Sequence, residues 1–208
     1  MAAPVLHASK LCFGYPQRSL FTDWDCALPA GLTLLQGGEG TGKTTLLRLL
    51  SGGLVAQSGT LQCAGVTLNP STRKAYQEQV FCTDPQSEAF ESVTPLQFFA
   101  QMAQRYPRMN TTMAIELADD LALTPHLEKT FFMLSTGTKR KVWLAAAFAS
   151  GAAVTLLDAP FAALDKTSIG LVISLLQEAA QHPARAWVIA DYAPPQGVPL
   201  ALTIDLGD

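Results

Sequence analysis

Short apolar runs alternate with glycine-rich or amphipathic segments along most of the chain, and this pattern predicts a parallel α/β core. Residues 32–36 form a five-residue apolar run that leads into a cluster of glycines, as a central strand would. Residues 43–50 then place four leucines on a predicted helix. Two further runs of strand length, 153–157 and 186–190, flank a helical pattern at 168–180. Strand, helix and strand in succession predict parallel pairing of the strands.

Between these core segments the pattern becomes purely helical. Residues 96–106 and 113–123 have the spacing of amphipathic helices, prolines separate them, and residues able to cap a helix precede the second one. We expect a helical lobe at residues 85–134. It would be inserted into a nucleotide-binding core formed by residues 1–84 and 135–208, and the whole chain would form one domain.

A long apolar stretch at residues 142–157 follows three basic residues and resembles a membrane span. A span needs about 18–20 residues, and Gly151 interrupts this stretch. We therefore predict a buried alanine-rich helix, a turn and a buried strand. The first residues lack the pattern of a signal peptide. We expect a cytoplasmic chain that reaches a membrane only through a partner.

Charge and cysteine content narrow the class of protein. The chain carries 14 basic and 17 acidic residues, a formal net charge of −3, whereas a protein that binds nucleic-acid phosphates normally has a basic excess. We therefore expect no nucleic-acid partner. The four cysteines form no CxxC pair, and no histidine stands at zinc-finger spacing from them. Scattered cysteines of this kind are typical of reduced cytosolic thiols.

The segment GGEGTGKTT fits the pattern GxxxxGK[ST] of a phosphate-binding loop. Glycines let backbone N–H groups converge on phosphate oxygens, and the following helix directs its positive end at the same anion. The lysine adds a full charge, and the next hydroxyl is a ligand for Mg²⁺. The strand before and the helix after favour this interpretation over a chance glycine-rich turn. The candidate nucleotide-binding residues are Gly37, Gly38, Gly40, Thr41, Gly42, Lys43, Thr44 and Thr45.

Two later segments add to this signal. Asp158 ends the apolar run at 153–157, where an acid would hold Mg²⁺, usually through water; an ordinary strand-end aspartate is the alternative. Residues 134–138 read LSTGT and precede a helix that starts with three basic residues. On its own, this segment reads as a helix N-cap.

Together these segments resemble the ATP-binding cassette (ABC) ATPase family over nearly the whole chain. LSTGT resembles the LSGGQ signature, DAPFAALD at 158–165 resembles DEPFxxLD, and FGYP at 13–16 resembles the segment whose tyrosine stacks on adenine. Tyr15 is the candidate for that stacking, with a core position at a strand end as its alternative. The resemblance implies a P-loop NTPase (RecA-like) core, an N-terminal antiparallel β subdomain and an inserted α-helical lobe.

The resemblance also implies MgATP as the ligand and a head-to-tail dimer of cassettes. Ser135 and Gly137 would face the nucleotide of the partner subunit. Thr44, Asp158 and Asp84 are the candidate metal ligands, where Asp84 or Gln86 takes the place of the glutamine that the family normally supplies.

Two positions depart from the hydrolytic pattern of the family. Ala159 follows Asp158 where the family usually has a glutamate that polarises water, and Tyr192 takes the likely place of the switch histidine. Losing a positioned base costs about 10²–10⁴ in rate. No member of the expected catalytic set is therefore intact, whereas the binding residues remain.

The sequence thus favours an ATP-binding subunit of an ABC transporter with impaired hydrolysis of its own. Its partners would be a transmembrane permease and a second cassette, identical or different, at the inner face of the cell membrane. RYPR at 105–108 and KTFFMLSTGTKRKVWLAAAFA at 129–149 resemble the short exporter types. LLRLLSGGLVAQSGTLQCAG at 46–65 and the small overall size resemble the haem-handling subunit of cytochrome c maturation. The alternatives are an ATP-gated regulatory or scaffold protein, and an active homodimeric ATPase in which Asp84, Asp165 or Asp191 replaces the missing glutamate.

Overall fold

The computed structural model describes residues 3–207 of the chain. Short 3-10 turns at 88–90, 124–126 and 131–133 interrupt the connections. The elements of the described residues, in chain order, are β1 (Leu6–Tyr15), β2 (Arg18–Leu28), β3 (Gly31–Gln36), α1 (Lys43–Leu50), β4 (Ser58–Cys63), β5 (Val66–Thr67), α2 (Arg73–Gln77), β6 (Val80–Cys82), α3 (Pro95–Arg105), α4 (Thr111–Asp120), α5 (Thr136–Ala149), β7 (Val154–Asp158), α6 (Lys166–Ala180), β8 (Ala186–Ala190) and β9 (Leu202–Asp205).

The strands form two sheets. A four-stranded antiparallel sheet has the order β2-β1-β4-β5, and a five-stranded parallel sheet has the order β6-β7-β8-β3-β9. The predicted α/β fold with an N-terminal antiparallel subdomain is confirmed. Strands β3, β7 and β8 lie within one residue of the runs that the apolar pattern predicts.

The parallel sheet separates two apolar cores. On one face, alternate residues such as Leu35 and Val188 pack with the leucines of α1 and with the antiparallel sheet. On the other face, residues such as Leu34 and Ile189 pack with α3, α4, α5 and α6. Both faces of the central strands are therefore buried, which explains why these strands read as continuous apolar runs rather than as an alternation.

Helices α3 and α4 lie between β6 and α5 in the chain, and each begins at a side-chain cap. Thr94 Oγ1 accepts a hydrogen bond from the Gln97 N–H at 3.3 Å, and the Gln97 Oε1 accepts one from the Thr94 N–H at 2.9 Å. The Asn110 Oδ1 accepts from the Met113 N–H at 3.0 Å. These caps satisfy N–H groups that a helix start leaves without a partner.

The apolar stretch at 142–157 folds as a buried helix end, a turn and a buried strand. Gly151 adopts a φ of +64°, and a Cβ at this position would lie 2.3 Å from the carbonyl oxygen of Arg108. The turn there consequently requires glycine. Within residues 3–207, no helix has the length and apolar character needed to cross a bilayer.

Candidate functional site

The loop between β3 and α1 turns back on itself around the side chain of Lys43. Its Nζ atom donates to the carbonyl oxygens of Gly37 at 2.6 Å and Gly38 at 2.7 Å. Gly40 and Gly42 adopt φ values of +75° and +104°, in the left-handed region that favours glycine. The glycine spacing of the motif thus follows from the backbone path that wraps the loop.

The backbone N–H groups at this turn are free to bind a ligand. Among residues 3–207, no acceptor takes a hydrogen bond from the N–H groups of residues 40–44. The first turn of a helix leaves such groups without intrahelical partners, and they carry the positive end of the helix dipole. This arrangement fits a phosphate group.

A hydroxyl and a carboxylate meet beside the loop. Thr44 Oγ1 donates to Asp158 Oδ2 at 2.6 Å, and the backbone N–H of Asp158 donates to Thr83 Oγ1 at 3.2 Å. Asp158 ends β7, so its position is fixed by the sheet. Oxygen ligands of this kind suit Mg²⁺. The residues present therefore fit a magnesium ion.

A cavity of about 360 Å³ opens over the loop. Tyr15 lies on its wall, is 50% exposed, and places its hydroxyl 3.3 Å from Thr45 Oγ1. The core alternative for this tyrosine is therefore wrong. The lining residues are Tyr15, Arg18, Leu20, Glu39, Gly40, Gly42, Lys43, Thr44, Thr45, Asp158, Ala159, Ala190, Asp191 and Tyr192.

The two positions that depart from the expected hydrolytic pattern both lie on this wall. Ala159 presents only a methyl group and adopts a φ of +43°, while its N–H donates to the Ala190 carbonyl at 3.0 Å. The ring of Tyr192 is 69% exposed, and its centre lies 4.7 Å from Lys43 Nζ. Neither side chain offers a carboxylate or a cation.

The predicted metal ligand Asp84 and its alternative Gln86 line a second cavity of about 810 Å³. Thr44, Asp158 and Ala159 line both cavities. Asp84 Oδ2 lies 3.8 Å from the Nη2 atom of Arg48. The structure thus places both candidates on the wall of the second cavity rather than on the wall of the loop cavity, and a metal role for Asp84 stays a prediction.

The two other acids considered as substitutes for glutamate have different surroundings. Asp165 caps α6 by accepting from the Ser168 N–H at 2.9 Å, and it forms an ion pair with Lys141. These contacts hold the pKa of the Asp165 carboxyl well below its usual value, and Asp165 does not line the loop cavity. Asp191 does line it, and its Oδ1 accepts from the Tyr192 N–H at 2.7 Å.

The LSTGT segment starts α5, away from the loop cavity of its own chain. Ser135 Oγ accepts from the Thr138 N–H at 3.2 Å and thereby caps the helix. A Cβ on Gly137 would lie 2.4 Å from the carbonyl oxygen of Ala163. Neither Ser135 nor Gly137 lines the cavity, so the structure does not join them to the other predicted nucleotide-binding residues.

Sequence reasoning missed Arg18 and Leu20, which approach the loop from the β1–β2 hairpin. The structure pairs Tyr15 with Arg18 across a two-residue turn. A residue opposite the predicted adenine-stacking tyrosine is expected to share its surroundings.

The profile of the family described as "ABC transporter" matches residues 23–162, which include the loop and the Asp158 strand. The chain belongs to the ATP-binding subunits of ABC transporters. The relatives that it matches are named as ATP-binding proteins.

Curated relatives of this ABC cassette include both exporters and importers. The chain is 32% identical over 180 residues to the cytochrome c biogenesis ATP-binding export protein CcmA of Nitrosococcus oceani, covering 86% of this chain and 82% of that protein. It is 28% identical over 160 residues to the phosphonates import ATP-binding protein PhnC of Hyphomonas neptunium, covering 71% of this chain and 61% of that protein.

Solved structures share the fold of the cassette. The ATP-binding subunit of an ABC transporter superposes with a TM-score of 0.79 at 20% identity, covering 89% of this chain and 79% of that chain. A dimeric ATP-binding cassette in a post-hydrolysis state, bound to ADP and Pi, gives a TM-score of 0.76 at 15% identity, covering 90% and 88%. At these identities the likeness concerns the fold alone.

Proposed function

We propose that this chain is the ATP-binding subunit of an ABC transporter whose own site binds MgATP and hydrolyses it slowly or not at all. The observation that carries the proposal is the methyl group of Ala159 on the wall of the loop cavity, next to Asp158. The residues that would bind MgATP are thus intact, whereas the residues that would activate water for hydrolysis are replaced.

Binding rests on three groups of atoms around the loop. The N–H groups of residues 40–44 and the ammonium of Lys43 would hold the phosphates. The oxygens of Thr44 and Asp158 would hold Mg²⁺, which supplies positive charge to the phosphate chain when bound. On the wall of the same cavity, Tyr15 offers a half-exposed ring to adenine.

Slow hydrolysis follows from the chemistry of the wall. A methyl group neither accepts a proton nor orients water, and removing a positioned base costs about 10²–10⁴ in rate. Tyr192 offers a phenol in place of a cation, so it stabilises less of the negative charge that develops on the transferring phosphoryl group. Two changes on one wall affect the same step.

The partners in this proposal follow from the position of the LSTGT segment. Ser135 and Gly137 lie away from the loop cavity of their own chain, so they would act on the nucleotide of a second cassette paired head to tail. That cassette supplies a competent site if it carries the intact glutamate and histidine. The segment 85–134 would act as the helical lobe, and a transmembrane permease would hold the pair at the inner face of the membrane.

The proposal is tested by measuring MgATP binding and steady-state hydrolysis on one sample of the purified chain. We expect binding that Lys43→Ala weakens strongly, with negligible turnover. Ala159→Glu should raise turnover by at least about 10², whereas Ala159→Gln, which has the same length but no base, should not. Turnover at ordinary rates in the unmodified chain would contradict impaired hydrolysis, and absence of MgATP binding would contradict the whole proposal.

One observation favours a second candidate, an active ATPase that uses Asp191 as the acid. Asp191 lies on the same cavity wall as Ala159, unlike Asp165. This candidate predicts turnover in the unmodified chain that Asp191→Asn abolishes while MgATP binding persists. The same two measurements therefore separate the candidates.

A further inference from the structure

The β1–β2 hairpin brings a second side chain to the loop beside Tyr15. A two-residue turn joins the strands, and Tyr15 pairs directly with Arg18. Cross-strand partners of this kind are immediate neighbours. The hairpin that carries the half-exposed tyrosine therefore carries an arginine at the same edge of the cavity.

Strand β2 packs against the phosphate loop itself. A Cβ on Gly42 would lie 3.3 Å from Phe21 Cζ and 3.5 Å from Leu20 Cδ1, and a Cβ on Gly40 would lie 3.7 Å from Arg18 Nη1. The guanidinium of Arg18 thus lies over the glycine-rich turn. Because Phe21 is buried, the start of β2 has a fixed position relative to the loop.

The two cations on the cavity wall, Lys43 and Arg18, differ in how many of their N–H donors are already engaged. Lys43 donates to two carbonyl oxygens and faces the ring of Tyr192, so its ammonium is surrounded. Arg18 is exposed, and within residues 3–207 it forms neither an ion pair nor a side-chain hydrogen bond. Of the two cations on the wall, Arg18 is the one whose donors are free.

We propose that Arg18 is a phosphate-binding residue of this site, which contacts the phosphate chain of the nucleotide from the hairpin side. A guanidinium presents N–H donors in a planar fork that matches phosphate oxygens, and such charge-assisted bonds are stronger than neutral ones. Arg18 then supplies a positive charge at a site where Tyr192 supplies none. This inference rests on the proposed function, because it assumes that the loop binds a nucleotide.

In this role Arg18 recognises the phosphate chain of the ligand and not its adenine. Removing the guanidinium should weaken every ligand that carries the phosphate chain, with or without adenine. Arg18→Lys keeps the positive charge but loses the planar fork of donors. Its affinity for these ligands should therefore lie between that of the unmodified chain and that of Arg18→Gln. An effect confined to adenine-containing ligands would instead mean that Arg18 only shapes the hairpin around Tyr15.

The test is equilibrium binding of MgATP, and of magnesium tripolyphosphate as a competitor without adenine, to the full chain. For Arg18→Gln we expect both affinities to fall by about tenfold or more, since hydrogen bonds to charged groups are worth that much. Lys74→Gln removes an exposed cation on α2 that does not line the cavity, and it should leave both affinities unchanged. Thermal unfolding checks that each variant is folded.

The outcomes distinguish this inference from the proposed function. Unchanged MgATP affinity in a folded Arg18→Gln variant overturns the phosphate role of Arg18, and so does a loss for MgATP without a loss for tripolyphosphate. If the unmodified chain binds neither ligand, the proposed function itself fails. If Arg18→Gln and Lys74→Gln lost affinity to the same extent, the effect would come from the net charge of the chain and not from a contact. This outcome would also overturn the inference.

Discussion

The Nζ atom of Lys43 lies 4.7 Å from the centre of the Tyr192 ring, and the same atom donates to the carbonyl oxygens of Gly37 and Gly38. An ammonium has three N–H donors, so two carbonyls and one aromatic face engage all of them. Lys43, the proposed phosphate-binding lysine, is therefore held inside its own loop, and the ring that completes this arrangement belongs to the residue at the expected histidine position.

This relationship predicts a small gain in nucleotide affinity when the ring is removed. A cation–π contact at an exposed site is worth about 0.5–1 kcal/mol, so Tyr192→Ala should tighten MgATP binding about two- to fivefold. Tyr192→Phe keeps the ring and should bind as the unmodified chain does. Calorimetric titration measures both. Weaker binding by Tyr192→Ala than by Tyr192→Phe would show that the ring contacts the nucleotide instead.

The contact between Thr44 and Asp158 predicts how the site depends on magnesium. Adding Mg²⁺ should increase the affinity for ATP, and we expect Asp158→Asn to make this increase smaller by about tenfold or more. The reason is that the neutral amide attracts the cation less than the carboxylate does. The measurement compares ATP binding with Mg²⁺ and with a chelator. Asp120→Asn changes an exposed carboxylate on α4 and serves as the control. Equal magnesium dependence in both variants would remove Asp158 from the metal site.

Gly137 predicts a stability effect that is independent of any nucleotide. Its Cβ would lie 2.4 Å from the Ala163 carbonyl oxygen, so Gly137→Ala forces the backbone apart and should lower the free energy of unfolding by about 1–3 kcal/mol. Gly170 lies inside α6 with nothing within 4 Å of its Cβ position. Gly170→Ala should raise the free energy of unfolding by about 0.5–1 kcal/mol. Denaturant unfolding measures both changes. If the two substitutions changed the free energy of unfolding in the same direction, this packing argument would be refuted.

The cap of α6 predicts a pH dependence of stability. Lys141 and the two Ser168 donors lower the pKa of Asp165 in the folded chain below its ordinary value of 3.8. The stabilisation by its charge is therefore fully present above that ordinary value, and it is lost as pH falls towards the lower folded-state pKa. Asp165→Asn keeps a good capping residue but removes the charge.

We therefore expect Asp165→Asn to unfold at a lower temperature than the unmodified chain at pH 7. The difference should shrink at pH 3, where the carboxyl of the unfolded chain is already largely protonated. Thermal unfolding at the two pH values measures this. A difference that stays constant would assign the effect to the shape of the cap and not to its charge.

Local patterns sufficed to predict the central strands and the phosphate loop. The apolar runs of β3, β7 and β8 are continuous because both faces of the parallel sheet are buried, and the glycines of the loop follow from left-handed backbone angles at Gly40 and Gly42. These features depend on residues close in the sequence. Helix limits were less well predicted: α4 ends at Asp120, whereas its pattern continues to residue 123.

The composition of the cavity wall depended on contacts between distant segments. Tyr15 was assigned from a motif, but only the packing of β2 on the loop brings Arg18 to Gly40, and only the chain path after β8 brings Tyr192 to Lys43. The sequence alone determined the α/β core, the phosphate loop and the absence of glutamate at Ala159, because spacing and residue identity carry them. The tertiary structure decided which cations are free and where Asp84 lies, because register and side-chain packing join residues that no local pattern relates.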